Sequence, residues 1–182
     1  MITIVQKDAE VLRKIAKEVP VHEIGSEKTI KLLAEMMITL DKCEDGVALA
    51  APQLGHSLRI FIVSPKAFIL QNGETTKDAG TEEKKKVSDK LIYINPVITK
   101  RSSRKVILDE GCLSVKGTFG KIKRRNKVTI AAYDELGNKF TRGASGLLAE
   151  IYQHETDHLD GKLFIDTATD LVEASKKIDD GK

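Results

Sequence analysis

The chain has only two cysteines, no long apolar run and little excess charge of either sign. Cys43 and Cys112 are too few for a disulfide framework, and in a reducing compartment at least one of them is better suspected as a ligand or a reactive thiol. Apolar runs such as residues 58–63 are far too short to cross a bilayer, so we expect no membrane contact.

Charge and the start of the chain narrow the functional classes further. Lys and Arg number 30 against 27 Asp and Glu, and the resulting net charge of +3 does not argue for sequence-specific nucleic acid as a ligand. No apolar segment follows a basic start, so we expect a cytoplasmic protein.

The length of 182 residues and a hydrophobic content of 41% are sufficient for one domain with one substantial core. We therefore expect residues 1–182 to form a single domain. Residues 71–90 hold almost no apolar side chains and predict an exposed loop. Residues 171–182 alternate in charge with few large apolar groups and predict a frayed tail.

Helical and strand-like patterns alternate along the chain. Asp8 and Ser26 stand at N-cap positions before segments with helical apolar spacing, which predicts two early helices. Dense β-branched and aromatic residues predict strands at residues 58–63, 91–98 and 127–133. Residues 134–138 contain Gly137 and predict a hairpin loop before another strand near Phe140.

One more helix is predicted late in the chain. Its apolar and chemically active residues fall on neighbouring faces, and Gly161 is placed to end it as the C′ residue. These residues are Leu147, Leu148, Ile151, Tyr152, Glu155, His158 and Leu159. The pattern as a whole predicts an α+β protein.

The late helix carries a metal-binding pattern in residues 154–158. His154 and His158 are four positions apart, one helical turn, so both imidazoles can point at one ion, and Glu155 lies beside them. The alternative is a polar helix face that binds nothing. A catalytic metal site normally has three protein ligands and one open position, so a third ligand is needed.

The third ligand could be a histidine, an acidic residue or a cysteine. A further His at the metzincin position is excluded, because that position is Phe164. A downstream acid is possible, and Glu173 is the only Glu beyond His158. A cysteine is also possible, since Cys112 lies in a tight stretch between strand-like segments where a thiolate can face inward.

Three stretches in order resemble the peptide deformylase family: Gly46-Val47-Ala48-Leu49-Ala50-Ala51-Pro52-Gln53, Glu110-Gly111-Cys112-Leu113-Ser114 and Gln153-His154-Glu155-Thr156-Asp157-His158. The family's first motif usually reads Gly-x-Gly-x-Ala-Ala-x-Gln, so Ala48 replaces a glycine. This added methyl group belongs to the substrate-binding stretch and not to the ligand set.

The resemblance implies small antiparallel sheets packed around a central metal-binding helix, with additional N-terminal helices. It implies that the chain removes the formyl group from the initiator methionine of nascent polypeptides, with possible transient ribosome contact. The implied cofactor is one divalent ion, Fe²⁺ natively, with Zn²⁺ or Ni²⁺ able to substitute. The implied site residues are the ligands Cys112, His154 and His158, the proton carrier Glu155, the oxyanion donors Gln53 and Leu113 N–H, and the substrate-binding Gly46, Val47 and Ala48.

Several other residues can be interpreted either as functional or as structural. Glu110 and Asp157 could orient a metal ligand with Arg124 as partner, or they could be solvated charges. Val47, Leu49 and Leu113 could line a methionine pocket or belong to the core. Cys43 is read as a small buried hydrophobe. A basic run at residues 121–127 is read first as a solvated strand face and second as a ribosomal RNA contact.

Two other functions are compatible with the metal-binding pattern of residues 154–158. One is a zincin-type metallopeptidase in which Glu173 is the third ligand. The other is a ribosome-associated binding protein with a structural metal, which would need a fourth protein ligand, and no second Cys or His lies close by in the sequence to supply it.

Cys112→Ala and Glu173→Ala separate the deformylase reading from the peptidase reading. If Cys112 is a ligand, Cys112→Ala loses most of the bound metal, while Glu173→Ala keeps it. The metal content of each purified variant, determined by elemental analysis, is the measurement. The reverse result would establish the peptidase ligand set.

Overall fold

The computed structural model describes residues 3–71 and 91–174. The predicted loop at residues 71–90 lies outside this part of the chain, apart from Gln71 at its start. Residues 175–182 of the predicted tail also lie outside it.

Three α-helices and eight strands make up the described residues. The helices are α1 (Glu27–Asp41), α2 (Pro65–Gln71) and α3 (Gly146–Leu159). The strands are β1 (Ala48–Ala50), β2 (Ile60–Val63), β3 (Ile92–Arg101), β4 (Lys105–Cys112), β5 (Val115–Arg125), β6 (Lys127–Tyr133), β7 (Lys139–Ser145) and β8 (Thr169–Glu173). Short 3₁₀ helices occupy Glu10–Arg13, Val21–Glu23, Ala51–Leu54 and Phe164–Asp166.

The strands form two antiparallel sheets with α3 between them. The larger sheet has the order β1-β2-β3-β6-β7, and the smaller one has the order β4-β5-β8. Helix α3 contacts β1, β3, β6 and β7 of the larger sheet and β5 of the smaller one. This arrangement confirms the α+β prediction of small antiparallel sheets around a central helix.

The first three strands are covered on both faces. Phe61, Val63 and Tyr93 belong to the apolar cluster shared with α3, whereas their neighbours Ile62 and Ile92 belong to the cluster shared with α1. Since both faces are buried, β2 reads as a continuous apolar run and not as an alternating one. The packing explains why this strand could be predicted from density of apolar residues alone.

Ser26 and Gly161 behave as predicted. The Ser26 hydroxyl accepts a hydrogen bond from the Thr29 N–H at 3.3 Å and caps α1. After α3, Gly161 has a φ of +72°, and the Lys162 N–H donates to the Asp157 carbonyl at 2.9 Å. Gly161 therefore ends the helix that carries the two histidines.

The predicted helix after Asp8 is wrong. The segment makes only the 3₁₀ turn Glu10–Arg13, and Lys14 is already extended. Leu12 is buried but Ile15 is 74% exposed, so the apolar spacing does not form one buried face. The Ala16 N–H donates to the Leu159 carbonyl, and this contact with the end of α3 holds the chain in an extended course. Only one α-helix, α1, precedes the first strand in the described residues.

Residues 171–173, predicted as part of a frayed tail, belong instead to β8. This strand pairs with β5 through Phe119 and Val172, and all five of its residues are exposed. Backbone pairing holds it, and its side chains give no buried pattern that a sequence reading could detect. The predicted hairpin loop at residues 134–138 is confirmed, with the Asp134 N–H donating to the Asn138 carbonyl and Gly137 at a φ of +80°.

None of the helices in the described residues is long and apolar enough to span a membrane.

Gly161→Ala is expected to destabilise the protein more than Gly137→Ala does. Both residues have positive φ, which costs a non-glycine residue about 1 kcal/mol or more. A Cβ on Gly161 would also lie 2.8 Å from the Arg13 carbonyl oxygen, whereas one on Gly137 would meet nothing within 4 Å. We expect losses of about 2–3 and about 1 kcal/mol in urea unfolding. Equal losses would show that the Arg13 contact is unimportant.

Candidate active site

Three ligand atoms meet where the smaller sheet faces α3. The sulfur of Cys112 and one nitrogen each of His154 and His158 all lie within 4.8 Å of one another. Cys112 Sγ is 3.2 Å from His158 Nε2. The structure thus brings together the cysteine at the end of β4 and the two histidines of α3, the three ligands that the resemblance implied.

The helix sets the geometry of the two histidines. They are one turn apart on α3, and their ring centroids are 4.9 Å apart. Phe164, which follows the helix, stacks its ring on His154 at 6.3 Å between centroids. The imidazoles are therefore held by a rigid element and by packing, as a preorganised metal site requires.

Backbone and side-chain donors surround the sulfur. The Ser114 N–H points at Cys112 Sγ from 3.4 Å, and Gln53 Nε2 lies 3.6 Å from the same sulfur. Both N–H groups are therefore directed at the sulfur atom. A thiolate is the form of cysteine that binds metals.

Gln53 is fixed in one orientation. Its Oε1 accepts a hydrogen bond from the Ala50 N–H at 2.8 Å, and its Nε2 donates to the Ser114 hydroxyl at 3.2 Å. The side chain is buried, so both ends of the amide are committed to this arrangement. The NH₂ group consequently faces the Cys112 sulfur.

A buried ion-pair network supports His154. Glu110 Oε2 accepts from His154 Nδ1 at 2.9 Å, and the Arg124 guanidinium donates to both Glu110 oxygens at 2.6 and 2.9 Å. Arg124 Nη1 also reaches Asp157 Oδ2 at 2.5 Å. Because Nδ1 is engaged with a carboxylate, Nε2 of His154 is left for a ligand, which is the usual support of a metal-binding histidine.

The charges in this network shift the ionisation of its members. Burial raises the pKa of Glu110, but the hydrogen bonds from Arg124 and His154 outweigh it and lower that pKa to about 2. Glu110 is therefore a carboxylate at neutral pH. Glu110 and Arg124 are buried and paired with each other. The structure therefore supports a role of this network in orienting the ligand His154, and not the interpretation as solvated surface charge.

The two histidines respond oppositely to their surroundings. Burial opposes the charged form of His154, yet hydrogen bonds to Cys112 and Glu110 raise its pKa above the ordinary value. Burial, together with repulsion from His154 and Arg124, lowers the pKa of His158. The sulfur of Cys112 and the carboxylate of Glu110 thus favour positive charge at the His154 ring, whereas the cationic surroundings of His158 oppose it there.

Glu155 has a buried oxygen that nothing satisfies. Among the described residues, Glu155 Oε2 has no hydrogen-bond partner although the side chain is buried. Burial raises its pKa to about 7. A carboxyl group with this pKa can both accept and return a proton near neutral pH.

Cys112 and His154 of this cluster line a cavity of about 410 Å³. The implied site residues that line it are Gly46, Val47, Ala48, Gln53, Cys112, Leu113, His154 and Glu155. Leu49, for which pocket and core readings were both open, belongs to the core cluster packed on α1. Buried Ala48 lies in β1, so the structure accommodates its methyl group beside the cavity.

The donor set suits a divalent transition metal. Two imidazoles and a thiolate are ligands for zinc, iron(II), nickel or cobalt, and three protein ligands leave a coordination position open. Glu155, with its orphaned oxygen, lines the same cavity as the ligands Cys112 and His154. The residues present therefore fit a catalytic metal site.

Glu173 is not a member of this cluster of ligands. It is exposed in β8 and pairs with Thr118 of β5, and it is not part of the group that could hold a metal. The acidic third ligand of the peptidase reading therefore lacks support. Cys43 is also outside the group, and its thiol donates to the Thr39 carbonyl at 3.4 Å, in agreement with a structural role.

Some residues of the site were missed by the sequence reading. Ser114 is fully buried and holds Gln53, while Leu147, Glu150 and Ile151 line the cavity. Helical spacing could have revealed the last two, since Glu150 is four residues before His154 and Ile151 is four before Glu155. No spacing rule in the sequence points to Ser114.

The fold and the site together define a metal-dependent hydrolase of the type in which cysteine is a ligand. The whole described chain then matches a known family: residues 1–174 match the family model described as polypeptide deformylase. The chain belongs to the peptide deformylase family, whose members are metal-dependent enzymes that remove the N-formyl group from nascent peptides.

Individual relatives agree with this assignment. The chain is 38% identical over 164 residues to "Peptide deformylase 1A, chloroplastic/mitochondrial" of Arabidopsis thaliana. The aligned segment covers 90% of this chain and 60% of that protein. It is 35% identical to "Peptide deformylase 2" of Clostridium acetobutylicum, over 90% of this chain and 92% of that protein. The crystal structure of a peptide deformylase from Legionella pneumophila superposes with a TM-score of 0.74 at 35% identity, covering 92% of this chain and 86% of that one.

Arg124→Met is expected to be far more destabilising than Arg13→Met. The first variant leaves buried Glu110 without its main counter-charge and is expected to cost about 3–5 kcal/mol. The second removes the exposed pair with Asp166 and is expected to cost less than about 1 kcal/mol. Urea unfolding of the metal-free proteins measures both. Similar small losses of unfolding free energy in both variants would mean that the Glu110–Arg124 pair does not hold β4 and β5 together.

Proposed function

We propose that the protein hydrolyses the formyl amide at the initiator methionine of nascent polypeptides and releases formate. The observation that carries the proposal is the meeting of the Cys112 sulfur with two imidazoles beside the partnerless carboxylate oxygen of Glu155. Membership of the peptide deformylase family supports the substrate class.

Cys112, His154 and His158 are proposed to hold one divalent ion, Fe²⁺ natively, with Zn²⁺ or Ni²⁺ able to replace it. When bound, such an ion activates water as a nucleophile and polarises the carbonyl that is attacked. The network of Glu110 and Arg124 would keep His154 Nε2 directed at the ion. The choice of iron rests on the family resemblance, because the donor set alone suits several metals.

Glu155 is proposed to carry the proton. Its carboxylate would accept a proton as water attacks the formyl carbon and would donate it to the departing nitrogen. Its pKa of about 7 and its unsatisfied buried oxygen suit both steps.

Gln53 Nε2 and the Leu113 N–H are proposed to donate to the oxyanion that forms on the formyl oxygen. The Gln53 amide is held from behind by the Ala50 N–H, so its NH₂ group would be in place before the substrate arrives. Such preorganised donors stabilise developing negative charge without reorganisation.

The segment of Gly46, Val47 and Ala48 is proposed to lie along the substrate. All three residues line the cavity, and Gly46 is so closely packed that a Cβ would lie 2.8 Å from Cys43 Cβ. Val47 and Leu113 offer apolar surface to the methionine side chain.

Domain organisation, location in the cell and contact with the ribosome are also proposed. The chain is proposed to act as a single catalytic domain, supported by the contacts of α3 with both sheets. Action in the cytoplasm and a transient contact with the ribosome are proposed from the substrate class. Exposed Lys121 and Lys123 on β5 would be available for such a contact, whereas Arg124, which follows Lys123, is buried in its ion pair.

Glu155→Gln tests the assignment of function. Anaerobically purified protein is expected to release formate from formyl-Met-Ala-Ser, and Glu155→Gln is expected to lose at least about 10²-fold in kcat/KM, because a neutral amide cannot accept the proton. Elemental analysis of the same samples should show unchanged metal content and should identify the native ion. Wild-type protein that carries the metal but releases no formate would contradict the proposal.

Gln53→Glu tests the oxyanion role. The carboxylate keeps the shape of the side chain and can still accept from the Ala50 N–H, but it cannot donate to an oxyanion. We expect kcat to fall about 10²–10³-fold with the metal retained. Activity within a few-fold of wild type would remove Gln53 from the proposed mechanism.

A further inference from the structure

The side chain of Gln6, near the start of the chain, contacts the backbone next to the metal ligand Cys112. Gln6 Nε2 donates to the Ile4 carbonyl at 3.2 Å and to the Leu113 carbonyl at 3.3 Å. Since an amide NH₂ group has two protons, both donors of Gln6 are committed to these carbonyls. Within residues 3–71 and 91–174, the residues that line the active-site cavity do not include Gln6, so it reaches the site from outside the space for substrate.

The peptide unit between Leu113 and Ser114 connects Gln6 to the sulfur. Its carbonyl end accepts from Gln6, and its N–H end points at Cys112 Sγ from 3.4 Å. Because a peptide unit is planar and rigid, a donor that holds the carbonyl also fixes the direction of the N–H. The hydrogen bond to the carbonyl also polarises the unit and strengthens its N–H as a donor. Gln6 therefore acts on the sulfur through one rigid group.

The same N-terminal segment holds Gln53. The Val5 N–H donates to the Gln53 carbonyl at 2.9 Å, and the Gln53 side chain lies 3.6 Å from the Cys112 sulfur. Val5 also packs against the same apolar cluster as Cys112. The segment is thus hydrogen-bonded to both residues for which an oxyanion role is proposed. Because the Val5 contact is made by the main chain, Gln6 is the position at which a side-chain substitution can test this link.

We propose that Gln6 is a positioning residue for deformylation, which directs the Ser114 N–H at the Cys112 sulfur and holds the Leu113 backbone in place for the oxyanion. The inference rests on the proposed function and adds to it a residue outside the cavity. Because Gln6 does not line the cavity, it is expected to affect kcat and the electronic state of the bound metal, and to leave KM nearly unchanged.

Gln6→Met removes both donors and keeps the length of the side chain. We expect kcat for formyl-Met-Ala-Ser to fall about 3–10-fold, which is the range that one hydrogen bond provides, with KM within about 2-fold of wild type. Gln6→Lys, whose ammonium group can donate to the same carbonyl, should restore kcat to within about 2-fold of wild type. Elemental analysis should show equal metal content in all samples.

Cobalt(II)-loaded protein gives a readout that does not depend on turnover. Its sulfur-to-cobalt charge-transfer band lies at higher energy when N–H groups donate to the sulfur, because these hydrogen bonds stabilise the sulfur electrons. Gln6→Met is expected to move the band to longer wavelength, and Gln6→Lys is expected to restore it. A substitution that only lowered the stability of the fold would leave the band of the folded protein unchanged.

Lys7→Met is the matched control. Lys7 is the next exposed residue of the same segment, and its side chain makes no hydrogen bond to the described residues. The control should keep the kcat and the band of wild type. Equal values in Gln6→Met and the control, or a loss that Gln6→Lys does not reverse, overturn the inference while wild-type turnover still upholds the proposed function. If the wild type releases no formate, the proposed function fails, and the cobalt band alone decides whether Gln6 acts on the sulfur.

Discussion

The buried carboxylate of Glu110 joins the two parts of the molecule that make the site. It lies on β4, accepts from Arg124 of β5 and accepts from His154 of α3. Cys112 is two residues further along β4, and both side chains contact histidines of α3: Glu110 contacts His154, and Cys112 contacts His158. A single ion-pair network therefore sets both the position of the sulfur relative to the helix and the orientation of one imidazole.

The rest of the fold holds α3 in place for this contact. Leu148 and Tyr152 bury one side of the helix against the larger sheet, while His154 and Glu155 remain on the side that faces the cavity. Gly161 ends the helix where it meets the extended N-terminal segment near Arg13. The helix is thus fixed along its length and at its end, and the metal ligands gain their geometry from a rigid element and not from a loop.

The sequence predicted the parts that depend on local pattern. Helical spacing placed His154 and His158 on one face, and Ser26 and Gly161 marked helix ends correctly. Local sequence patterns did not distinguish Cys112 from Glu173 as the third ligand, because that distinction depends on how β4 packs on α3. The motif resemblance favours Cys112, and the structure places Cys112 in one group with the two histidines.

Long-range pairing explains the remaining errors. The segment after Asp8 has helical spacing, but its contact with Leu159 at the end of α3 outweighs the local preference. Strand β8 is held by backbone hydrogen bonds to β5 and shows no buried face. Ser114 was missed for a similar reason, since its partner Gln53 is 61 residues away in the chain.

In the metal-loaded protein, one sulfur and two imidazole nitrogens are expected to surround a single divalent ion. X-ray absorption spectroscopy of the metal-loaded protein measures these ligands. For bound zinc, we expect one sulfur scatterer at about 2.3 Å and two imidazole nitrogens at about 2.0–2.1 Å, with a remaining light-atom position for solvent. A spectrum fitted by nitrogen and oxygen alone would show that Cys112 is not a ligand.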